Sequence, residues 1–178
     1  AHNPGQRELP FCIHTRYSTQ QAILEDIVAS LYAQGMRKLI ILSGHGGNNF
    51  KGMIRDLAFV YPDFLIIAAD WFSIVPPKDY FEAVVDDHAG ESETSVMMHY
   101  HPELVNLAEA GDGESRPFAI PSLNEKVGWA PRHWDKATVD SGVGNPKKAS
   151  AEKGERYMKP VVEKLAKLFT EVGLGSLY

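Results

Sequence analysis

The chain has 178 residues, of which 44 % are hydrophobic and 23 % charged, with a net charge of −5. This length and composition suit one globular domain with a substantial core. No run of Lys or Arg supplies the phosphate-neutralising surface that nucleic-acid binding needs, and the longest apolar stretches are too short to span a bilayer. We therefore expect neither a nucleic-acid nor a membrane partner. The single cysteine, Cys12, excludes an internal disulfide and favours a reducing, cytoplasmic location.

The first half of the chain alternates between helix and strand patterns. Ser18 is predicted to cap a helix that continues through apolar residues at helical spacing and closes at Gly35. Residues 38–43 and 64–71 are short continuous apolar runs, which are typical of strands buried on both faces. A second helix is predicted between them, ending near Tyr61. This order predicts a parallel sheet with right-handed crossovers, and therefore an α/β fold.

The second half is less regular. A third helix is predicted from about Glu93 to just before Pro102, and a long last helix over residues 150–172. Between them, residues 111–148 are polar and rich in proline and glycine. A loop of this length in a compact domain is usually functional, so we expect it to cover the site or to join subunits. No repeat or linker interrupts the chain, so residues 1–178 are predicted to form a single domain.

The first candidate site is the sequence SGHGGN at residues 43–48, directly after a predicted strand. In open α/β sheets, ligands bind beyond the carboxyl ends of the strands, and glycines let a ligand approach the backbone closely. Neutral imidazole suits zinc, manganese or iron, so His45 is a candidate metal ligand. A tight turn that happens to contain a histidine, or an anion-binding loop at the next helix N-terminus, explains the same residues.

The second candidate site is the sequence HAGESETS, which begins at His88 and places Glu91 and Glu93 at the entry to an apolar helix. Carboxylates are common there because the helix dipole favours them, and Ser92 or Thr94 could be plain caps. A histidine with a glutamate three positions on is also a compact unit for binding a metal and its activated water. Two such segments near strand ends in one domain together favour a catalytic site.

The SGHGGN and HAGESETS segments resemble the two hallmark stretches of the creatininase family. Residues 141–155 resemble the segment that leads into the last helix of that family, with Asn145 where Asp is more usual. The order and spacing agree from about Ser18 to the C-terminus. The resemblance implies a three-layer α/β/α fold with a mainly parallel sheet. It also implies metal-dependent hydrolysis of a C–N amide-type bond in a small-molecule substrate, by a homo-oligomer.

The resemblance further implies a site for two divalent metal ions, either zinc, manganese or iron. His45 matches the ligand that the family has in the first segment. The family's Glu-x-His and bridging Asp ligands have no counterpart here, so we expect an N-terminal part to be missing, and Ala1 in place of Met agrees. Creatininases proper carry a ligating Glu at the position of Gly47 and an apolar residue at that of Glu91. We therefore predict that Glu91 replaces the missing ligand.

The remaining roles also follow from the resemblance. His88 matches the histidine that acts on the substrate as acid and base, and Glu93 matches a nearly universal glutamate, so both are predicted to be catalytic. The residues predicted to contact the substrate are Gly46, Gly47, Asn48 and Trp71. Trp71 matches one pocket tryptophan of creatininases, whereas the second corresponds to Val84. Creatinine is therefore disfavoured, and a cyclic amide, a formamide or a peptide-like bond is expected.

Two other functions fit the same residues. A non-catalytic small-molecule or phosphate-binding protein would use residues 44–48 as an anion nest, although the chain lacks a P-loop lysine and a G-x-G-x-x-G motif. A pseudoenzyme of the same family is the other alternative. It gains weight if the intact protein also lacks the Glu-x-His and Asp ligands.

Overall fold

The computed structural model describes residues 3–7, 9–176 and 178. In these residues the helices and strands are α1 Tyr17–Ala33, β1 Lys38–Ser43, α2 Lys51–Val60, β2 Leu65–Asp70, β3 Asp86–His88, α3 Glu91–Tyr100, α4 Pro121–Asn124, α5 Trp134–Ala137, β4 Val143–Gly144 and α6 Ala151–Leu174. None of these helices has the length and apolar character needed to cross a membrane. By their internal contacts the residues form two compact units. The first contains residues 13–74, 161–176 and 178, and the second contains residues 3–7, 9–12 and 75–160.

The first unit is built on a β-α-β segment. Strands β1 and β2 pair in parallel over their whole length, from Lys38 opposite Leu65 to Ser43 opposite Asp70. Because the two strands end in register, the residues that follow them leave the sheet at the same edge. The buried core consists of apolar residues from α1, α2 and β2 and from the turn before β2: Leu24, Val28, Met53, Leu57, Phe64 and Ile66. The predicted α/β class and the parallel sheet are confirmed.

The predicted start of the first helix is wrong by two residues. Helix α1 begins at Tyr17, and its capping residue is Arg16, which makes no side-chain cap bond. Ser18 therefore lies inside the first turn, where its hydroxyl cannot act as the N-cap. Gly35 ends the helix as predicted, because it adopts a φ of 85° and its N–H donates to the carbonyl of Tyr32 at 3.0 Å.

The strands are less buried than predicted. Leu42 is 50 % exposed, and in β1 only Ser43 is buried. In β2 the buried residue is Ile66. In the described part of the chain β1 and β2 pair only with each other, and so narrow a sheet leaves part of its apolar surface uncovered. The prediction of strands buried on both faces is therefore wrong for these residues.

The second unit is organised around an antiparallel pair of short strands. Asp86 and His88 of β3 lie opposite Gly144 and Val143 of β4. Helix α3 follows β3 and begins at Glu91, two residues before the predicted start. The region predicted as a long loop, residues 111–148, contains α4, α5 and β4. It therefore supplies the strand partner of His88.

The first turn of α6 approaches α3 very closely. Gly154 is buried, and a Cβ atom there would lie 2.1 Å from the carbonyl oxygen of Ser95. The hydroxyl of the fully buried Ser95 donates to the carbonyl of Glu91 at 2.6 Å and accepts from the N–H of Ser150 at 3.2 Å. Glycine is required for so close an approach of two backbones. The approach brings Lys153 alongside Glu91.

Candidate functional site

His88 ends β3, and its ring lies beside the carboxylate of Glu93. His88 Nδ1 is 3.8 Å from Glu93 Oε2, and the two side chains are 29 % and 37 % exposed. Glu93 Oε2 also accepts a hydrogen bond from the N–H of Ala89 at 2.7 Å. The chain folds back here because Ala89 has a φ of 52°, and the hydroxyl of Thr94 donates to its carbonyl at 3.2 Å. A carboxylate held in this way can orient a histidine that transfers protons.

Gly90 and Asp86 fix the start of α3. Both carboxylate oxygens of Asp86 accept from the N–H of Ser92, at 3.0 and 3.3 Å. Asp86 thus performs the function of an N-cap side chain, whereas Gly90 occupies the cap position without any side-chain bond. A Cβ on Gly90 would lie 2.1 Å from Asp86 Oδ1, so glycine is needed for the carboxylate to reach the helix. Burial raises the pKa of Asp86, and the hydrogen bonds from Ser92 act in the opposite direction.

Glu91, the predicted metal ligand, is fully buried, and both of its oxygens have partners. Oε1 forms an ion pair with Lys153 Nζ at 2.5 Å. Oε2 accepts from the backbone N–H groups of Glu82 and Ala83, at 2.9 and 2.8 Å. In this arrangement the carboxylate ties α6 and the segment before β3 to α3. Metal binding would require Glu91 to release Lys153, so its role as a ligand stays a prediction.

Lys153 belongs to a cluster of alternating charges. Its ammonium group also contacts Glu82 Oε1 at 3.0 Å, and Lys148 contacts Glu82 Oε2 at 2.7 Å. Hydrogen bonds from Lys148 and then Lys153 lower the pKa of Glu82 to about 2. Hydrogen bonds to Glu91 and then Glu82 raise the pKa of Lys153. Of the four side chains, only that of Glu91 is removed from water, so its pairing matters most for stability.

The first predicted segment forms a tight turn at the end of β1. The N–H of Asn48 donates to the carbonyl of His45 at 3.1 Å, and the N–H of Gly47 donates to His45 Nδ1 at 2.9 Å. A neutral imidazole that accepts at Nδ1 carries its proton on Nε2. Two of the N–H groups in this turn are therefore directed at His45, and an anion nest would lack both donors.

Trp71, predicted to contact the substrate, holds this turn to the end of β2. Its Nε1 donates to the carbonyl of Gly44 at 3.4 Å, and its ring meets Phe72 edge to face at 6.0 Å. The common register of β1 and β2 brings these residues together. A cleft beside the turn is lined by Asn48, Asn49, Phe50, Lys51, Ile54, Arg55, Ala68 and Asp70. Asn48 therefore lines a cleft that also contains charged side chains.

The roles of His45 and Glu91 as metal ligands stay predictions. No group of three or more His, Cys, Asp or Glu side chains in residues 3–7, 9–176 and 178 is arranged to hold an ion. His45 Nδ1 accepts from Gly47, so coordination through Nε2 requires the other tautomer of the ring. Glu91 is paired with Lys153. His45 belongs to the first unit, whereas Glu91, His88 and Glu93 belong to the second.

One residue that the sequence did not identify lies against His88. The ring of Trp134, the first residue of α5, meets the His88 ring at a centroid distance of 5.1 Å and an angle of 74°. The guanidinium of Arg132 lies 4.9 Å from the Trp134 ring and pairs with Asp87 at 2.7 Å. The only signal in the sequence was a tryptophan next to basic residues in a long polar segment.

Comparison with known proteins identifies relatives over most of the chain. The family model described as "Creatininase: Creatinine amidohydrolase" matches residues 1–169. A mycofactocin precursor peptide peptidase from Mycobacterium ulcerans is 32 % identical over 131 residues, which are 71 % of this chain and 45 % of that protein. A creatinine amidohydrolase from Pseudomonas putida is 24 % identical over 169 residues, 86 % of this chain and 63 % of that protein. The match thus spans about half the length of the first relative and less than two thirds of the second.

Solved structures share the fold. A crystal structure from Bacteroides fragilis, provisionally described as a creatinine amidohydrolase, is 84 % identical with a TM-score of 0.97, and the match covers 100 % of this chain and 70 % of that one. A creatininase structure at 20 % identity has a TM-score of 0.72 over 96 % of this chain and 71 % of that one. A mutant creatininase described as Zn-Zn type, at 22 % identity, has a TM-score of 0.69 over 96 % and 72 %. The predicted creatininase-like α/β fold is confirmed.

Proposed function

The chain belongs to the creatininase family, and from this premise we propose that it is a metal-dependent hydrolase of a C–N amide-type bond in a small substrate. The family is one of amidohydrolases, so hydrolysis of an amide bond is the activity that membership supports. The relatives named as a creatinine amidohydrolase and a peptidase differ in substrate but share cleavage of such a bond. The proposal also includes the metal dependence of the reaction and the class of substrate.

The observation that carries the proposal is the pairing of His88 with Glu93 at an accessible position, with 3.8 Å between Nδ1 and Oε2. Hydrolysis adds hydroxide from water to the carbonyl carbon and a proton to the leaving nitrogen. An imidazole can accept the proton of the attacking water and deliver it to the nitrogen. Glu93 stabilises the imidazolium that exists between these steps, and its bond from Ala89 keeps it in place.

We propose that the protein binds two divalent ions, of zinc, manganese or iron, and that His45 contributes one ligand. The relative described as Zn-Zn type supports this part, together with the preference of these metals for imidazole. The described residues do not build the site alone, so the proton transfers above involve only His88 and Glu93. Glu91 could act as a further ligand only by exchanging Lys153 for the metal.

The proposed substrate is a cyclic amide, a formamide or a peptide-like compound. Gly46, Gly47, Asn48 and Trp71 are proposed to contact it, and the cleft that Asn48 lines supports the role of Asn48. Val84, which stands where creatininases have a second pocket tryptophan, is fully exposed, so creatinine is a poor candidate. We further propose a cytoplasmic homo-oligomer that has no nucleic-acid or membrane partner.

The test is a panel of cyclic amides, N-formyl compounds and short peptides, incubated with the full-length protein and zinc, manganese or iron. We expect amine release that a chelator abolishes and added metal restores. His45→Asn should lower the bound metal measured by mass spectrometry. The control His101→Asn should not, because His101 is exposed and pairs with Glu103. Metal-loaded protein that hydrolyses no compound, or wild-type protein that binds no metal, would refute the proposal.

A further inference from the structure

We propose that Trp134 is a positioning residue for His88, and that the ion pair between Asp87 and Arg132 holds Trp134 in place. The geometric part of this proposal stands on contacts of the second unit alone. Its consequence for catalysis rests on the proposed function.

His88 is bounded on two sides by side chains of the second unit. Glu93 faces Nδ1 at 3.8 Å, and the Trp134 ring meets the imidazole at 5.1 Å with the two planes at 74°. A histidine that is 29 % exposed can sample several rotamers unless its neighbours restrict it. An edge-to-face contact favours one orientation of the ring over the others. Trp134 and Glu93 together therefore restrict the imidazole of His88 to one orientation.

Trp134 is itself held firmly. It is only 9 % exposed. Its backbone N–H donates to the carbonyl of Pro4 at 3.1 Å, and its backbone carbonyl accepts from the hydroxyl of Thr138 at 2.7 Å. The guanidinium of Arg132 lies 4.9 Å from the indole and forms an ion pair with Asp87, with 2.7 Å between the charged atoms. Because Asp87 directly precedes His88, this ion pair connects the segment that contains Trp134 to strand β3, which contains His88.

The same segment also fixes the backbone of His88, because Val143 of β4 pairs with it. Two residues of the segment 111–148, Trp134 and Val143, therefore flank His88. This contact is in addition to any role of the segment as a cover or in assembly. Loss of the indole would let the imidazole rotate away from the leaving nitrogen. A displacement of about 1 Å in such a group can lower the rate by about a hundredfold. The loss should appear in kcat, because the indole acts through His88 and not on the bound substrate.

The test uses Trp134→Leu, Trp134→Phe and Arg132→Gln in the full-length protein, with Trp129→Leu as the matched control. Trp129 lies in the same segment but is 86 % exposed. The imidazole resonances of His88 are followed in protein labelled with ¹³C,¹⁵N-histidine and are assigned with a His88→Asn variant. We expect Trp134→Leu to shift these resonances and to lower kcat about ten- to a hundredfold with little change in KM. Trp134→Phe and Arg132→Gln should act in the same direction but less, and Trp129→Leu should do neither.

His88 resonances and a kcat in folded Trp134→Leu equal to those of the control would overturn the proposal. If Trp134→Leu fails to fold by circular dichroism, the two milder variants decide, and unchanged His88 resonances in both would show the proposal to be wrong. Shifted resonances in a protein whose wild type hydrolyses no substrate would support the positioning contact and refute the proposed hydrolase instead.

Discussion

Replacing Glu91 by alanine should destabilise the metal-free protein strongly. Glu91 is fully buried, its partner Lys153 is 21 % exposed, and the backbone N–H groups of Glu82 and Ala83 also bind the carboxylate. Removing one partner of a buried ion pair costs about 3–5 kcal/mol, because the other charge and the donors lose their partner. Lys153 retains Glu82 at 3.0 Å. We therefore expect a loss of about 3 kcal/mol in the free energy of unfolding, at the lower end of that range.

The assay is urea unfolding in the presence of a chelator, with the m-value as a check that the unfolding reaction is unchanged. Glu91→Gln keeps an acceptor for the two N–H groups but removes the charge, so about 2 kcal/mol should be lost, the contribution of a charge-assisted bond. The control is Glu82→Ala, since Glu82 pairs with the same lysine but is 58 % exposed. The loss of stability in Glu82→Ala should be clearly smaller than in Glu91→Ala, because water screens an exposed ion pair.

A different outcome would assign Glu91 another role. If the free energy of unfolding of metal-free Glu91→Ala is within about 1 kcal/mol of wild type, the contacts of the buried Glu91 carboxylate do not stabilise this part of the protein. Loss of metal from the intact variant together with that result would instead support the ligand role.

The remaining predictions concern three other positions. In Gly154→Ala the new Cβ would lie 2.1 Å from the carbonyl of Ser95, so the melting temperature should fall with a loss of about 1–3 kcal/mol; an unchanged melting temperature would show that the two segments separate readily. The pKa of Glu82 is lowered to about 2, so its stabilising contribution is present above the ordinary value of about 4.3 and is lost as pH falls below it. The difference in urea midpoint between wild type and Glu82→Gln should therefore shrink below about pH 4, and a constant difference down to pH 2 contradicts this cause. Glu93→Gln should lower kcat at least about tenfold, because the carboxylate that orients His88 loses its charge; a wild-type kcat would remove Glu93 from the mechanism.

Elements with strong local signals could be predicted from the sequence. The apolar run of β1 ends at a serine and glycine, and its predicted bounds match the structure. Gly35 marks the end of α1 for the same local reason. Burial of the strands could not be predicted in this way, because it depends on how many strands join the sheet. The start of α1 could not be predicted because its N-cap, Arg16, makes no side-chain cap bond and therefore leaves no capping pattern in the sequence.

In the candidate site, too, contacts between residues close in sequence could be predicted and contacts between distant residues could not. The proximity of His88 and Glu93 could be predicted because they lie five positions apart on consecutive elements, and their side chains are 3.8 Å apart. Lys153 is 62 residues from Glu91 in the chain, so no local pattern shows their contact. The sequence alone does not distinguish a glutamate that binds a metal from a buried glutamate that pairs with a distant lysine. Trp134 was missed for the same reason, since only the folded chain brings it to His88.

The central claim is that His88 transfers protons in the hydrolysis of a C–N bond, and His88→Asn in the full-length, metal-loaded protein tests it most directly. Removal of a general acid and base lowers kcat by about a hundred- to ten-thousandfold. We expect a loss of that size on the substrate identified in the panel, with melting temperature and bound metal unchanged and with His101→Asn as active as wild type. A His88→Asn variant with a kcat within about tenfold of wild type would contradict the account.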